Sequence, residues 1–331
     1  MWHLEFASAF PDRVVGAAEI AEWTGADESF IRDKVGIGSR HYLSADEAPL
    51  DLAKAAASAG LAKAGLSGKD IDWLIFVTQN PDFRLPQSSA LLADAIGARS
   101  DLAAFDLSLG CSGWVYALTL ADAFARREDF GAGLIVTCDP YSRGISRSDK
   151  STVTVFGDGA AATVFRPGGA IGLGKGNYGT DGSKGMGLST QAGGARSPLV
   201  SIDLDNAARE IDPDQYGIKM DGRAILEFMQ TRVPESVHKC LSRNRLDISE
   251  VDKFVFHQAS KYMIELIIRR MELDPEKVPI EIYDTGNTVS STIPITLERL
   301  SERRELRGNC LVCGFGVGLS WATNLITFPK I

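Results

Sequence analysis

The chain has 331 residues, 44% of them hydrophobic and 24% charged, with a formal net charge of −8. That length and composition suit a globular protein of two domains or one large double unit; the negative balance argues against a general nucleic-acid or anionic-membrane surface, no apolar run reaches membrane-spanning length, and Met1–Pro11 lacks the basic start and long apolar core of a signal peptide. Five cysteines, an odd number in a long chain, argue against a disulfide framework and for a reducing cytoplasm.

In chain order, the Ala-rich stretch Leu52–Leu66 reads as a helix, and Asp70-Ile-Asp-Trp-Leu-Ile-Phe76 runs from a helix into a buried strand. Ala103–Leu107 reads as a short buried strand and Val115–Leu120 as an apolar helix. Cys111 lies at their junction. A helix start offers unpaired N–H groups and the positive end of the dipole, and both favour thiolate, the nucleophilic form. Gly110, Ser112 and Gly113 leave room beside it. A buried cysteine also serves as a small core hydrophobe, and this segment alone does not separate the two readings. A boundary between halves falls near Arg166-Pro-Gly-Gly169, giving residues 1–166 and 167–331. The Gly-rich run Gly172–Gly187 lacks a nucleotide-loop pattern. Gly193–Gly217 shows little helical periodicity and reads as either a flap over a pocket or an inert insertion.

The second half repeats the first. Glu250-Val-Asp-Lys-Phe-Val-Phe256 matches Asp70–Phe76, after a helix over Ala224–Leu241. Phe315-Gly-Val-Gly318 matches Phe156-Gly-Asp-Gly159, each before a strand-like stretch, Leu319–Phe328 and Ala160–Phe165. Cys310-Leu-Val-Cys313 matches Leu134–Cys138. Each half reads strand, helix, strand, helix, strand, helix, strand, strand, which implies mixed or parallel sheets covered by helices. A pseudo-twofold would set equivalent helix starts face to face. Asn287, after Pro279-Ile-Glu-Ile-Tyr283, opens the counterpart of the Cys111 helix, so the repeat predicts that the two meet. Cys310 and Cys313, three apart on a strand, face opposite sides. With no second Cys or His pair to complete a zinc site, they read as structural and no metal is expected.

His257 ends a buried strand ahead of an amphipathic helix over Lys261–Leu273, at the strand end where α/β sites gather. Singly, His257 could be a core histidine and Asn287 a turn residue. Their matching places in the repeat favour chemistry.

These residues carry a resemblance. Gly36-Ile37 with Arg40-His41, Gly110-Cys111, Phe156-Gly-Asp-Gly-Ala160, His257-Gln-Ala259, Gly286-Asn-Thr288 and Phe315-Gly-x-Gly318 followed by Trp321 occur in that order. The chain resembles the β-ketoacyl-acyl-carrier-protein synthase III family of condensing enzymes from about Ala7 to Phe328. The resemblance implies an α/β thiolase-like fold of two βαβαβαββ halves in a five-layered αβαβα sandwich. It implies that Cys111 accepts an acyl group from a thioester and that a malonyl thioester then loses CO2. The enolate attacks the acyl-cysteine to give a 3-oxoacyl thioester. His257 and Asn287 would donate to the thioester oxygen, backbone N–H groups of Cys111 and Val317 to the tetrahedral oxyanion, and Phe315 would wall the site. No cofactor is implied beyond acyl-coenzyme A or acyl-carrier-protein substrates, and a homodimer is implied, paired through the central strand of the first half.

Several positions depart from the family pattern. Val317 stands where glycine is usual, keeping the N–H but narrowing the pocket. Phe30 and Lys150 stand for the tryptophan and arginine that clamp the coenzyme A adenine, Lys34 for an arginine, and Ser260 for an asparagine. Lysine lacks the planar stacking surface of arginine. Arg269 and Arg270 match basic carrier-docking positions and also suit a solvated helix face. Glu227 and Tyr262 replace basic residues. The order Cys111, His257, Asn287 also matches papain-type proteases, the first two lying 146 positions apart. The missing Cys-Gly-Ser ahead of Cys111 and the internal repeat argue against that. An acyltransferase of the same fold acting on an alcohol or amine, and a non-enzymatic carrier-binding scaffold, are the other readings.

Overall fold

Long apolar stretches such as Trp73–Val77 and Gly133–Cys138 suit parallel strands covered on both faces, and both are buried throughout. The computed structural model describes residues 1–124, 126–127, 130–198 and 217–330. Its first half contains β1 (Trp2–Ala9), β2 (Val14–Gly16), α1 (Ala17–Thr24), β3 (Ser39–His41), α2 (Pro49–Lys63), β4 (Trp73–Val77), α3 (Ser88–Ala95), β5 (Ala103–Leu107), α4 (Gly113–Phe124), β6 (Gly133–Cys138), α5 (Lys150–Val153) and β7 (Ala160–Pro167). The second contains β8 (Gly172–Leu173), β9 (Asn177–Thr180), β10 (Leu188–Ser189), β11 (Lys219–Met220), α6 (Gly222–Asn244), β12 (Lys253–Phe256), α7 (Lys261–Met271), α8 (Thr292–Glu302), β13 (Gly308–Gly316) and β14 (Ser320–Phe328).

The repeat is visible in the pairing. One sheet runs β1-β7-β6-β4-β5, the other β8-β14-β13-β12 with β9 also on β14. In both, a parallel pair (β4 with β6, β12 with β13) is followed by an antiparallel pair (β6 with β7, β13 with β14). The sheets sandwich α4 and α8, while α2 and α3 cover the outer face of the first and α6 and α7 lie beyond the second. This is the expected five-layered order. Cys310 joins the central core and Cys313 the core under α6 and α7, so the two do face opposite sides of β13.

The repeat breaks at one place. No strand forms over 279–283, where the counterpart of β5 was expected. The Gln258 side chain takes the place of a ladder: its amide nitrogen donates to Phe256 O at 2.8 Å and Pro279 O at 3.4 Å, and its oxygen accepts from Glu281 N at 2.8 Å. Pro279 has no N–H to offer a neighbouring strand. Of the Gly193–Gly217 segment, residues 199–216 lie outside the described residues.

Candidate active site

Cys111 follows β5 and precedes α4. The Ser112 carbonyl accepts from Val115 N at 3.1 Å and Tyr116 N at 3.2 Å, so the helix is entered one residue past the cysteine. The second sheet closes over it. A Cβ at Gly314 would lie 2.6 Å from Cys111 O, and one at Gly316 2.8 Å from Cys111 Sγ. Glycine at these alternate positions of β13 lets the nucleophile segment lie against the strand. Ser112 Oγ and Ser320 Oγ, 2.7 Å apart, tie the two segments together.

The thiol departs from expectation. Cys111 is only 4% exposed. Burial, then the nearby Asp139 carboxylate, push its pKa up to about 12, although the N–H groups of Val317 and Cys111 itself pull the other way. Desolvation therefore outweighs these two N–H groups and favours a neutral thiol at rest. The two opposing N–H groups are those expected to receive the oxyanion.

His257 directly follows β12, and its N–H donates to Cys313 O at 2.8 Å. Its Nδ1 meets Thr292 Oγ1 at 2.7 Å, and burial pushes its pKa down to about 3, so the imidazole is neutral near pH 7. The Phe315 ring stands edge-on to it, with centroids 5.6 Å apart.

Asn287 is held by both its backbone and its side chain. Its N–H donates to Val155 O, and its carbonyl accepts from Gly157 N, both at 3.0 Å. A Cβ on Gly157 would collide with Thr285 O, so this close approach requires glycine. Arg40, fully buried, donates from Nη1 to Val153 O at 2.9 Å and backs the same loop through its Cβ. Asn287 Oδ1 accepts from Val289 N at 2.9 Å. Val289 has φ of 55°, a left-handed conformation that is costly for a β-branched residue. Because Oδ1 is occupied, Nδ2 is left on the side of His257 Nε2, 3.5 Å away.

Cys111, His257, Asn287, Phe315 and Ser260 line one cavity of about 90 Å³. Val317 borders an adjoining cavity of about 170 Å³, and Leu188 belongs to both. Ser260 also caps α7, accepting from Met263 N at 3.2 Å. The remaining candidates lie outside these cavities. Phe30 opens a π-helical turn, Phe30–Val35, and is half-exposed; Lys34 in the same turn is exposed. Lys150 begins α5 and reaches Gly25 O at 3.4 Å. Gly36, after the turn, has no room for a Cβ against Lys261 at the start of α7. Arg269 and Arg270 are exposed on α7, Arg269 lying 4.0 Å from Glu265. Glu227 pairs with Arg223 at 3.1 Å, and Tyr262 is exposed. Sequence reasoning did not single out Thr292, Gln79, Tyr141 or Asp139. Their contacts with the site form only across the two halves or between neighbouring strand ends, and nothing in the linear pattern marks them.

Residues 105–182 match the family model described as 3-oxoacyl-[acyl-carrier-protein (ACP)] synthase III, and residues 241–328 match that of its C-terminal part. A β-ketoacyl-[acyl-carrier-protein] synthase III of Streptococcus pneumoniae serotype 19F (strain G54) is 31% identical over 327 residues, 98% of each chain. The chain belongs to the 3-oxoacyl-acyl-carrier-protein synthase III family. A crystal structure of a 3-oxoacyl-(acyl-carrier-protein) synthase III superposes with a TM-score of 0.90 at 32% identity, covering 98% of each chain. The priming β-ketosynthase of the R1128 polyketide pathway superposes at 0.87 with 28% identity, over 98% of this chain and 95% of that one. As a synthase III family member, the protein is a condensing enzyme of the thiolase fold. Among the described residues no group of three His, Cys, Asp or Glu side chains is placed to hold a metal ion, and no helix is long and apolar enough to cross a membrane.

Proposed function

We propose that the protein joins a Cys111-bound acyl group to a malonyl thioester by decarboxylative Claisen condensation, giving a 3-oxoacyl thioester. Cys111 Sγ attacks the acyl thioester carbonyl; a new C–S bond forms, and the carrier thiol leaves with the cysteine proton. The malonyl thioester follows and its carboxylate departs as CO2. The electron pair passes to the thioester oxygen, where His257 Nε2–H and Asn287 Nδ2 donate. The enolate carbon attacks the acyl carbonyl, whose oxyanion faces the N–H groups of Cys111 and Val317. Collapse expels the cysteine thiolate, which is then reprotonated.

The observation that carries this reading is the placement of a neutral His257 Nε2 and of Asn287 Nδ2 3.5 Å apart on the wall of the cysteine cavity, both donors when Thr292 Oγ1 donates to Nδ1. Among the described residues His257 has Thr292, not a carboxylate, on its other nitrogen. Polarising a carbonyl without removing a proton needs no more. Phe30, Lys34, Lys150 and Ser260 would receive a coenzyme A or carrier arm, and Arg269 and Arg270 an acidic carrier protein. The reading requires thioester substrates and no cofactor. The central strand of this half, β6, is paired on both sides with β4 and β7 and cannot take a partner strand as expected; the outer strand is β5, whose five residues are all partly exposed. An open edge of this kind suits pairing with a second copy. We place the division between halves at 166/167 and the protein in the cytoplasm, in fatty-acid or specialised acyl synthesis.

Intact-mass measurement after exposure to acyl thioesters tests the first step: an acyl adduct is expected on the native protein and not on Cys111→Ala. Asn287→Ala should keep the adduct and lose CO2 release from malonyl thioester by about 10²–10³-fold, the usual effect of removing one oxyanion donor. Abolished acylation in a folded Asn287→Ala protein would refute the assignment of roles.

A further inference from the structure

We infer that the acyl group received by Cys111 carries a neutral hydrogen-bonding substituent, such as a hydroxyl, held by Gln79 and Tyr141. The inference rests on the condensing reading and names its acyl substrate class. The 170 Å³ cavity beside Val317 shares Leu188 with the cavity that Cys111 lines, and we assign it to the acyl chain on Cys111. Val317 Cγ1 and Gln79 Oε1 would lie 2.6 and 2.5 Å from a Cβ on Gly110, so both flank the residue before the nucleophile. A chain leaving Cys111 in this direction passes Val317 and meets the Gln79 amide.

The Gln79 backbone is fixed by Asp139, and its side-chain amide by Tyr141. Gln79 N donates to Asp139 Oδ1 at 2.6 Å, and Asp139 Oδ2 accepts from Ser290 Oγ at 2.5 Å. Tyr141 Oη donates to Gln79 Oε1 at 2.9 Å, its ring packed on Phe156 with centroids 5.1 Å apart. Gln79 Nε2 makes no hydrogen bond among the described residues, although Gln79 lines the cavity. If the amide is turned, Nε2 donates to Tyr141 and Oε1 is the unpaired atom. Either way one amide atom is left for a ligand. An alkyl chain here would desolvate it without replacement, whereas a hydroxyl pairs with it.

The remaining wall is mixed: Leu188 and Ile218 are apolar, and Asn80 and Thr190 are polar. No charged side chain lines this cavity among the described residues, and the Asp139 carboxylate is held on the Gln79 backbone N–H. Among the described residues, an acyl group ending in a carboxylate would find no cation on this wall. The substituent is therefore neutral.

The test is the rate of Cys111 acylation by intact mass, with butyryl-, 3-hydroxybutyryl-, 4-hydroxybutyryl- and succinyl-coenzyme A presented separately to the full-length protein. The faster hydroxybutyryl thioester should acylate at least about tenfold faster than butyryl, because a site made to bond a hydroxyl rejects the analogue lacking it. In Gln79→Met and in Tyr141→Phe that ratio should fall to within about twofold. Butyryl or succinyl acylating as fast as the better hydroxy thioester overturns the inference, as does a ratio that survives both substitutions. No adduct from any of the four overturns the inference, while an adduct from an acetyl or longer unsubstituted acyl thioester under the same conditions would leave the condensing reading standing. The wild-type comparison stands whether or not the variants fold.

Discussion

Thr292 Oγ1, on the first residue of α8, lies 2.7 Å from His257 Nδ1, at the end of a strand 35 residues earlier. The same hydroxyl is 3.2 Å from Val289 O. When it donates to Nδ1, the imidazole hydrogen sits on Nε2, facing the cavity beside Asn287 Nδ2. This tautomer is the one the condensation uses, which makes Thr292 a positioning residue.

Thr292→Val keeps the shape and removes the hydroxyl, leaving a buried ring nitrogen unpaired. Malonyl decarboxylation should fall by about tenfold or more, and Cys111 acylation should change by less than about threefold. Thr292→Ser should restore the decarboxylation rate. Equal loss of both steps in Thr292→Val would show that the hydroxyl serves folding alone.

His257 has a pH signature in stability. Its folded pKa is pushed by burial from 6.5 down to about 3. Between those values the unfolded chain binds a proton that the folded one does not. The contribution is therefore fully present above pH 6.5 and is lost as pH falls toward 3. Asp139 and Asp158, raised by burial from 3.8 to about 6, run the other way, stability falling as pH rises through that window. Both are retained in His257→Gln, so they cancel in a comparison. From pH 7 to pH 5 the native protein should lose about 2 kcal/mol relative to His257→Gln in denaturant unfolding. An unchanged difference would mean that the imidazole is solvated.

Gly316 guards the nucleophile. Its backbone lies outside the left-handed region, so alanine is conformationally allowed, but the new Cβ would lie 2.8 Å from Cys111 Sγ. Gly316→Ala should fold, and displacement of the sulfur should slow acylation by about 10²-fold. Circular dichroism melting and the rate of adduct formation separate these effects.

Val317 keeps the backbone N–H of the oxyanion site while its side chain fills part of the adjoining cavity. Val317→Gly should admit longer acyl chains. The octanoyl-to-acetyl ratio of acylation rates should rise by about tenfold, at a stability cost of about 1 kcal/mol from added chain entropy. A fixed ratio would place the chain-length limit elsewhere in the wall.

The catalytic trio and the repeat were legible because they rest on local pattern. Apolar runs ending in Cys111, His257 and Asn287 mark element ends, and matched halves bring such ends together; Cys111 and Asn287 do line one cavity. The 279–283 run departs from the repeat for a local reason. Its apolar residues suit a strand, but the Gln258 side chain supplies the hydrogen bonds a neighbouring strand would have made.

The sequence by itself determined the two-fold repeat, the buried strands and which residue types stand at their ends, since periodicity and turn chemistry act over a few neighbouring residues. Only the tertiary structure decided the state of those groups. Desolvation by the second sheet made Cys111 a neutral thiol, and burial kept His257 uncharged. Thr292 and the Gln79–Tyr141 pair found their roles through contacts between segments far apart in the chain. Dielectric environment and hydrogen-bond partnership depend on what the fold brings within a few ångströms, and no linear pattern records that.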